Sequence, residues 1–168
     1  MTLLKIYHVI LYVDDLKLFK SISSVDDCLI MQENLNKLNL WCNSNNLPLN
    51  VSKCNSISFT RKLNPIEYNF TVNNINLHKC LSFRDLGVLF DAKLNFIEHV
   101  NTIQKEAYRN LGFVIRNGRQ FSEPNTLKTI FNAFVRSKLE YASIVWSPGY
   151  EVHSQALEKI QRKFVKYL

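Results

Sequence analysis

The sequence predicts an α+β protein in which short strands dominate the first part and helices make up the second. Up to about residue 92, apolar and polar residues alternate in short runs separated by Asn, Asp, Pro and Gly, which is typical of strands and turns. From Phe96 onward, apolar residues recur every three or four positions, which is the period of an amphipathic helix. We therefore expect two parts, residues 1–92 and 93–168, which pack together because no flexible linker separates them.

Composition and charge indicate a folded, basic and soluble protein. Hydrophobic residues make up 46% of the 168 residues, enough for a core, and 21 Lys and Arg against 14 Asp and Glu give a net charge of +7. That excess fits either a polyanionic partner or a solvated basic surface. The four cysteines are widely spaced, which favours reduced thiols. No apolar stretch could span a membrane and no signal peptide is evident, so we expect an intracellular protein.

The stretch 8–19 predicts a β-hairpin with two carboxylates at its tip. An apolar run enters, Asp14 and Asp15 follow, and a shorter apolar alternation leaves. Adjacent carboxylates repel one another unless a cation neutralises them, and such oxygen ligands suit Mg²⁺. Paired aspartates at a hairpin tip are more often only a solvated turn, so the dipeptide alone does not decide between the two interpretations.

A helix of about twenty residues is expected after the hairpin. Ser24 is followed three residues later by Asp27, as in a capping box, and the helical pattern ends near Asn45 and Asn46. The apolar residues that recur at helical spacing predict its buried face: Leu29, Leu35, Leu38, Trp41 and Cys42.

Three strand segments are predicted between this helix and residue 92. Residues 53–60 form the first, and residues 70–77 form a hairpin that turns at Asn73 and Asn74. Residues 86–90 form the last, in which Gly87 marks a close backbone approach or a bulge.

Three helices are expected after residue 96. The first ends near Gly118, the second starts at Pro124, and the last carries Leu157, Ile160, Phe164 and Leu168 on one face. Four basic side chains share the other side of this last helix: Lys159, Arg162, Lys163 and Lys166. Such a face either tracks phosphates or is simply solvated.

Several segments, taken in order, resemble the second half of a non-LTR (LINE-type) retrotransposon reverse transcriptase. Residues 12–15, Tyr-Val-Asp-Asp, resemble the Tyr/Phe-x-Asp-Asp box of that family, and residues 46–54 resemble its next palm segment, with Asn46 where Gly is common. Residues 85–91 resemble the hairpin that supports the primer end. Residues 138–141 with 145–148, and residues 157–164, resemble the helical thumb of the family.

The resemblance implies a partial polymerase palm, an antiparallel sheet with a packed helix, in residues 1–92, and an all-helical thumb in residues 93–168. The implied reaction is RNA-directed DNA synthesis, a nucleotidyl transfer that uses two Mg²⁺ ions. Asp14 would be a metal ligand, Asp15 a second ligand or electrostatic partner, and Lys53 the proton donor to pyrophosphate. The implied partners are an RNA template and a DNA primer.

Further roles follow from the same resemblance. Tyr12 would lie near the primer terminus, and Leu86 and Gly87 would belong to the primer-supporting hairpin. The basic residues that would contact primer and template are Lys159, Arg162, Lys163 and Lys166. An ordinary strand aromatic and a solvated basic face are the simpler alternatives.

The resemblance also implies fingers and an earlier palm segment with another metal-binding Asp, which the 168 residues do not contain. We therefore expect this chain alone to be inactive, although its family is enzymatic, and the edge of its hairpin to be open. The alternative is a noncatalytic, basic nucleic-acid-binding remnant. A maturase or a telomerase-like protein shares the Asp-Asp hairpin, but residues 86–88 and 146–148 argue against both. The sequence leaves the oligomeric state open.

Overall fold

The computed structural model describes residues 8–13, 15–147 and 151–168, which form a mixed α and β structure. The chain divides into an N-terminal unit that ends at Leu81 and a C-terminal unit from Ser82 to Leu168. The residue 92 boundary taken from the sequence assigns the stretch 82–91 to the first part, whereas the structure groups it with the helices that follow. The palm and thumb assignment of the two parts stays a proposal.

The described strands of the N-terminal unit form separate two-stranded ladders instead of one continuous sheet. Strand β1 pairs antiparallel with β2, β3 pairs parallel with β6, and β4 pairs antiparallel with β5. The bounds of these elements and of helix α1 are β1 His8–Tyr12, β2 Asp15–Phe19, α1 Val25–Ser44, β3 Asn55–Ser56, β4 Thr71–Val72, β5 Ile75–Asn76 and β6 His78–Lys79.

Helix α1 begins and ends where the sequence predicts. Ser24 is its N-cap, and a full capping box joins the Ser24 and Asp27 side chains to each other's backbone N–H groups. At the other end Asn46 has a φ of 56°, the left-handed conformation that Asn tolerates better than most residues. The substitution of Asn for Gly at this position is therefore compatible with the same turn.

The buried face of α1 differs from the predicted one. Leu29 and Trp41 are exposed, whereas Asn34 and Asn39 are buried beside Cys42. The amide nitrogens of both buried asparagines have hydrogen-bond acceptors, which offsets part of the cost of burying a polar group. The Asn39 side chain donates to the side chain of Asn73 at 2.7 Å. Apolar periodicity alone could not identify this face.

Two predicted strand segments of the N-terminal unit have different outcomes. The hairpin is confirmed: Asn73 and Asn74 have φ values of 52° and 61°, as a tight two-residue turn between β4 and β5 requires. The strand predicted over 53–60 is wrong except at β3, because a short 3₁₀ helix, Val51–Lys53, precedes it. The Asn50 side chain accepts from the Ser52 N–H at 3.2 Å and so starts a helical turn there.

The C-terminal unit packs helices beside one hairpin. Strands β7 and β8 are antiparallel, with Asp85 opposite Val88, so Leu86 and Gly87 form the turn between them. The prediction of a single strand over 86–90 is therefore wrong at its first two residues. The element bounds are β7 Ser82–Asp85, β8 Val88–Asp91, α2 Ile97–Gly118, α3 Pro124–Phe131, α4 Ser137–Glu140, α5 Ser143–Trp146 and α6 Glu151–Val165.

The helical core follows the predicted periodicity. The apolar residues that recur at helical spacing in the sequence of α2 are all buried: Val100, Ile103, Ala107, Leu111 and Val114. On α6, Ile160 and Phe164 are buried as predicted, and Phe164 stacks on Phe131 with ring centroids 4.0 Å apart. Leu168, predicted for the same face, lies beyond the end of α6 and is exposed. A π-helical stretch, Asn132–Arg136, joins α3 to α4. None of the described helices is long and apolar enough to cross a membrane.

Candidate functional site

The first hairpin presents its turn to solvent. Tyr12 and Asp15 are the last register pair before the turn, and both are exposed. Asp15 is the first residue of β2 and not part of the loop itself. Asp14 lies outside the described residues. The predicted hairpin is therefore confirmed, and the structure places one of the two predicted carboxylates at its exposed end.

The other end of this hairpin is held by aromatic packing. His8 pairs with Phe19, and their rings stack with centroids 5.3 Å apart. All five residues of β1 are exposed, and among the described strands β1 pairs with β2 alone. One edge of the hairpin is thus unpaired within the part of the chain that the structure describes.

Val13, at the tip of the hairpin, has a strained backbone. Its φ is 56°, in the left-handed region that a β-branched side chain disfavours. The Val13 side chain is 82% exposed, so no packing in its surroundings compensates for the strain. A tight two-residue hairpin turn requires a positive φ, and this turn brings Asp15 to the exposed end of the hairpin, which makes the tip a candidate functional site.

The donor chemistry of the tip is compatible with one ligand to Mg²⁺. Asp15 offers an exposed carboxylate, the hard oxygen donor that Mg²⁺ prefers. Within the described ranges, no group of three or more His, Cys, Asp or Glu side chains is placed to hold a metal ion. The described residues therefore fit part of the predicted metal site, and Asp14 is the other residue assigned to it.

Asp26 and Asp27, a second pair of adjacent acids in this unit, lie in the first turn of α1. The Lys20 ammonium lies 2.8 Å from the Asp27 carboxylate and holds the pKa of Asp27 well below its usual range, together with hydrogen bonds from Ser23 and Ser24. Asp27 is thus committed to the capping box and to an ion pair. This agrees with the capping box predicted from Ser24 and Asp27.

Lys53 stands in a different element from the one predicted. It is the last residue of the 3₁₀ helix and not the start of a strand, and its side chain is exposed. Its backbone carbonyl accepts from the Asn55 side chain at 3.1 Å, which fixes the local backbone and leaves the ammonium in solvent. Its assignment as a proton donor stays a prediction.

The turn between β7 and β8 is supported by a tyrosine that sequence reasoning did not single out. The Tyr141 hydroxyl donates to the Leu86 carbonyl at 2.7 Å. A Cβ atom at Gly87 would lie 3.3 Å from Cε1 of the same ring. The close approach predicted at Gly87 is therefore present, and its cause is Tyr141.

Two buried aromatic residues link this tyrosine to the hairpin. Trp146 donates through Nε1 to the Tyr141 carbonyl at 2.7 Å and packs edge-on against His99, with ring centroids 5.3 Å apart. His99 accepts through Nδ1 from the Leu89 N–H at 3.2 Å. Because Nδ1 accepts, the neutral ring carries its proton on Nε2. Burial lowers the pKa of His99, and the positive charge of Arg84 adds to that effect.

Sequence reasoning missed these residues because their partners are far away in the chain. Tyr141 and Leu86 are 55 positions apart. No periodicity or local motif reports a contact over such a separation. The single local signal was Gly87, which indicated a close approach without naming the group that makes it.

Helix α6 carries three of the four predicted basic residues on its exposed side, and Lys166 lies in the turn just after the helix. Lys159, Arg162, Lys163 and Lys166 are all exposed. Arg162 pairs with Glu158 at 2.7 Å, and the Lys163 ammonium lies 5.8 Å from the centre of the Tyr108 ring. The arrangement presents a row of cations at one-turn spacing, which is the geometry that a nucleic-acid backbone can follow.

Charge is unevenly divided along the chain. From residue 82 onward there are 13 Lys and Arg against 8 Asp and Glu, a net charge of +5 out of the total of +7. The preceding 81 residues are close to balanced. A polyanion would therefore be attracted mainly to the C-terminal unit.

Comparison with known proteins gives the context for these features. Over 159 residues, 92% of its length, the chain is 25% identical to the RNA-directed DNA polymerase from mobile element jockey of Drosophila funebris. The chain resembles mobile-element polymerases. The resemblance to a retrotransposon reverse transcriptase is thus confirmed. Over 133 residues, 76% of the chain, it is also 24% identical to the probable RNA-directed DNA polymerase from transposon X-element of Drosophila melanogaster.

The similarity covers a small part of each relative. The chain spans 17% of the jockey polymerase and 14% of the X-element polymerase. No family profile matches the sequence, and no solved structure matches the chain.

Proposed function

We propose that this chain is the palm-to-thumb part of an RNA-directed DNA polymerase of a non-LTR retrotransposon. The observation that carries the proposal is the similarity to the jockey polymerase over 92% of the chain. The acid-tipped, solvent-facing first hairpin and the basic C-terminal unit are the two structural features that this function requires.

The first hairpin would bind the metal ions. Asp14 and Asp15 are the proposed ligands, and two Mg²⁺ ions, when bound, would supply charge stabilisation for the attacking 3′-oxygen and the leaving pyrophosphate. The exposed position of Asp15 at the end of a two-stranded ladder leaves its carboxylate accessible to a metal ion, which would in turn bind substrate phosphates. Tyr12, its register partner, is exposed next to it and would contact the primer terminus.

Lys53 is the proposed proton donor to pyrophosphate. Its exposed ammonium can meet a phosphate group, and its backbone is held by the 3₁₀ turn. General-acid assistance of this kind typically contributes about 10²–10⁴-fold to a rate.

The C-terminal unit would hold the primer and the template. Lys159, Arg162, Lys163 and Lys166 would contact phosphates, and the turn at Leu86 and Gly87 would contact the primer end. The four exposed cations and the local net charge of +5 support this role.

A noncatalytic nucleic-acid-binding remnant is the second candidate. It is favoured by the same charge asymmetry, because binding through α6 does not depend on the carboxylates of the first hairpin. The two candidates differ in whether Mg²⁺ and the Asp pair change how the chain binds a primer–template.

Salt and metal dependence of binding tests the proposal. Fluorescence anisotropy of a labelled RNA–DNA hybrid would be measured between about 50 and 200 mM KCl, with and without Mg²⁺. We expect each Lys or Arg to Gln change on the α6 face to reduce the slope of log K against log salt by about 0.7–0.9. Lys37→Gln and Lys62→Gln in the near-neutral N-terminal unit are matched controls and should leave the slope unchanged.

Substitution of Asp14 and Asp15 distinguishes the polymerase proposal from the noncatalytic remnant. We expect Mg²⁺ to tighten binding of a hybrid with an incoming nucleotide, and Asp14→Asn with Asp15→Asn to remove that increment. Asp26→Asn, an exposed acid on another element, is the control. Binding that responds to α6 but ignores both Mg²⁺ and the Asp pair would reject the polymerase proposal in favour of the remnant.

A further inference from the structure

We infer that Tyr141 is a positioning residue for the turn at Leu86 and Gly87, and that its hydroxyl sets the conformation in which this turn meets the primer end. The inference rests on the proposed function, which places this turn at the primer. It adds a residue from a distant helical segment to the proposed primer-binding machinery.

The turn has a conformation that needs support. Leu86 has a φ of 44° and Gly87 a φ of 87°, so both residues between β7 and β8 are in the left-handed region. Gly adopts it freely, whereas Leu does so at a cost. The hydrogen bond from Tyr141 ends on the carbonyl of Leu86, the strained residue.

The tyrosine ring also restricts the neighbouring residue. Its Cε1 lies 3.3 Å from where a Gly87 Cβ would be, so the ring packs closely against the Gly87 backbone. One side chain therefore holds Leu86 through a hydrogen bond and Gly87 through van der Waals contact. Both residues of the turn are fixed by the same partner.

The backbone of Tyr141 is held in place by Trp146. Its carbonyl accepts from Trp146, which is 2% exposed and packs against His99. His99 in turn accepts from the backbone N–H of Leu89 in β8. These contacts form a closed path from the strand, through the buried aromatic residues, back to the tip of the same hairpin.

The contact between Tyr141 and Leu86 is exposed to solvent, unlike a contact in the core. The Tyr141 side chain is 56% exposed and Leu86 is 48% exposed. The hydroxyl therefore contributes little to the core, and the turn that it holds remains accessible to a bound strand. A residue that served the core alone would be buried, as Trp146 is.

Tyr141→Phe removes the hydroxyl and keeps the ring. The probe is an RNA–DNA hybrid whose primer carries a photoreactive diazirine on its 3′-terminal base, with the crosslinked residues mapped by mass spectrometry on the full chain. We expect the wild type to crosslink within residues 85–88. We expect Tyr141→Phe to lower that yield, measured at saturating hybrid, about fivefold, the factor typical of one lost hydrogen bond.

Tyr167→Phe is the matched control. The Tyr167 hydroxyl donates to the Ile115 carbonyl at 3.2 Å, so this change also removes one hydroxyl–carbonyl bond from the C-terminal unit, away from the turn. We expect it to leave the crosslink yield unchanged. Equal losses in both variants would mean a general structural effect and would overturn the positioning role.

The outcomes separate the inference from the function on which it rests. A wild-type chain that crosslinks at the turn, with the same yield in Tyr141→Phe, overturns the inference and leaves the proposed function standing. A wild-type chain that does not crosslink within residues 85–88 overturns the proposed primer contact itself.

Gly87→Ala keeps the inference testable if Tyr141→Phe unfolds the chain. The new methyl group would press on the same ring at a strained φ, so the turn should shift without loss of the hydroxyl. We expect a loss of crosslinking from a folded chain, as thermal unfolding would verify. An unchanged yield from folded Gly87→Ala contradicts the inference.

Discussion

His99 illustrates how one buried side chain ties the stability of the C-terminal unit to pH. Its Nδ1 accepts from the Leu89 N–H, and this bond requires the neutral ring. Burial lowers the His99 pKa, with the Arg84 charge acting in the same direction and Glu106 opposing them. The unfolded chain therefore binds a proton at a higher pH than the folded chain does.

We predict that the free energy of unfolding falls as the pH drops below about 6.5, the ordinary value for His. The contribution is complete above that pH and is lost progressively as the pH approaches the lowered pKa of the folded state. Urea unfolding at several pH values between neutral and mildly acidic conditions measures this dependence.

Two variants isolate the effect. His99→Gln can still accept the Leu89 hydrogen bond through its amide oxygen but does not titrate, so its stability should depend less on pH. His78→Gln changes an exposed histidine of β6 and should keep the wild-type dependence. A His99→Gln chain with the full wild-type dependence would show that another group is responsible.

At the scale of single elements, helix α1 shows how local chemistry sets a boundary. The Ser24 side chain accepts from the Asp27 N–H at 3.3 Å, and Asp27 accepts from the Ser24 N–H at 3.1 Å. These bonds satisfy backbone donors at both positions that would otherwise lack an intrahelical partner.

We predict that Ser24→Ala lowers the free energy of unfolding by about 1 kcal/mol, the typical cost of a lost N-cap. Ser21→Ala, an exposed serine three residues earlier, should change it by less than about 0.5 kcal/mol. Chemical denaturation of the two variants side by side provides the comparison. Equal effects would mean that the cap does not stabilise the helix.

Elements were predictable where a local signal and the tertiary contacts agree. The capping box of α1, the Asn-Asn turn after Val72 and the apolar stripe of α2 each act over a few residues. The stretch 53–60 was not predictable, because its alternation resembles a strand but only β3 finds a partner. A strand forms only when another strand pairs with it, and sequence pattern does not report that partner.

At the scale of the whole molecule, some residues of the candidate site could be proposed from the sequence and others could not. Asp14, Asp15 and the α6 cations could be assigned from the sequence, since each belongs to a compact motif. Tyr141, His99 and Trp146 could not, because their roles depend on contacts between segments far apart in the chain. The sequence therefore indicates the exposed charged residues, but not the buried and long-range contacts that hold the turn at Leu86 and Gly87.

The isolated chain is expected to lack polymerase activity. The 168 residues alone supply two of the carboxylates that the resemblance assigns to the metal site, and they span 17% of the jockey polymerase. We therefore expect this chain by itself to show no primer extension above an Asp14→Ala, Asp15→Ala double variant, since two carboxylates can bind Mg²⁺ but do not complete the site that the reaction needs.

Primer extension by a chimera tests the central claim most directly. The matching segment of the jockey polymerase would be replaced by this chain, and Mg²⁺-dependent DNA synthesis on an RNA template would be measured. We predict synthesis that falls at least about 100-fold with Asp14→Asn and Asp15→Asn and persists with Asp26→Asn. Synthesis that ignores the Asp pair, or a chimera that binds the hybrid as its parent does but extends nothing, would contradict the palm-to-thumb assignment.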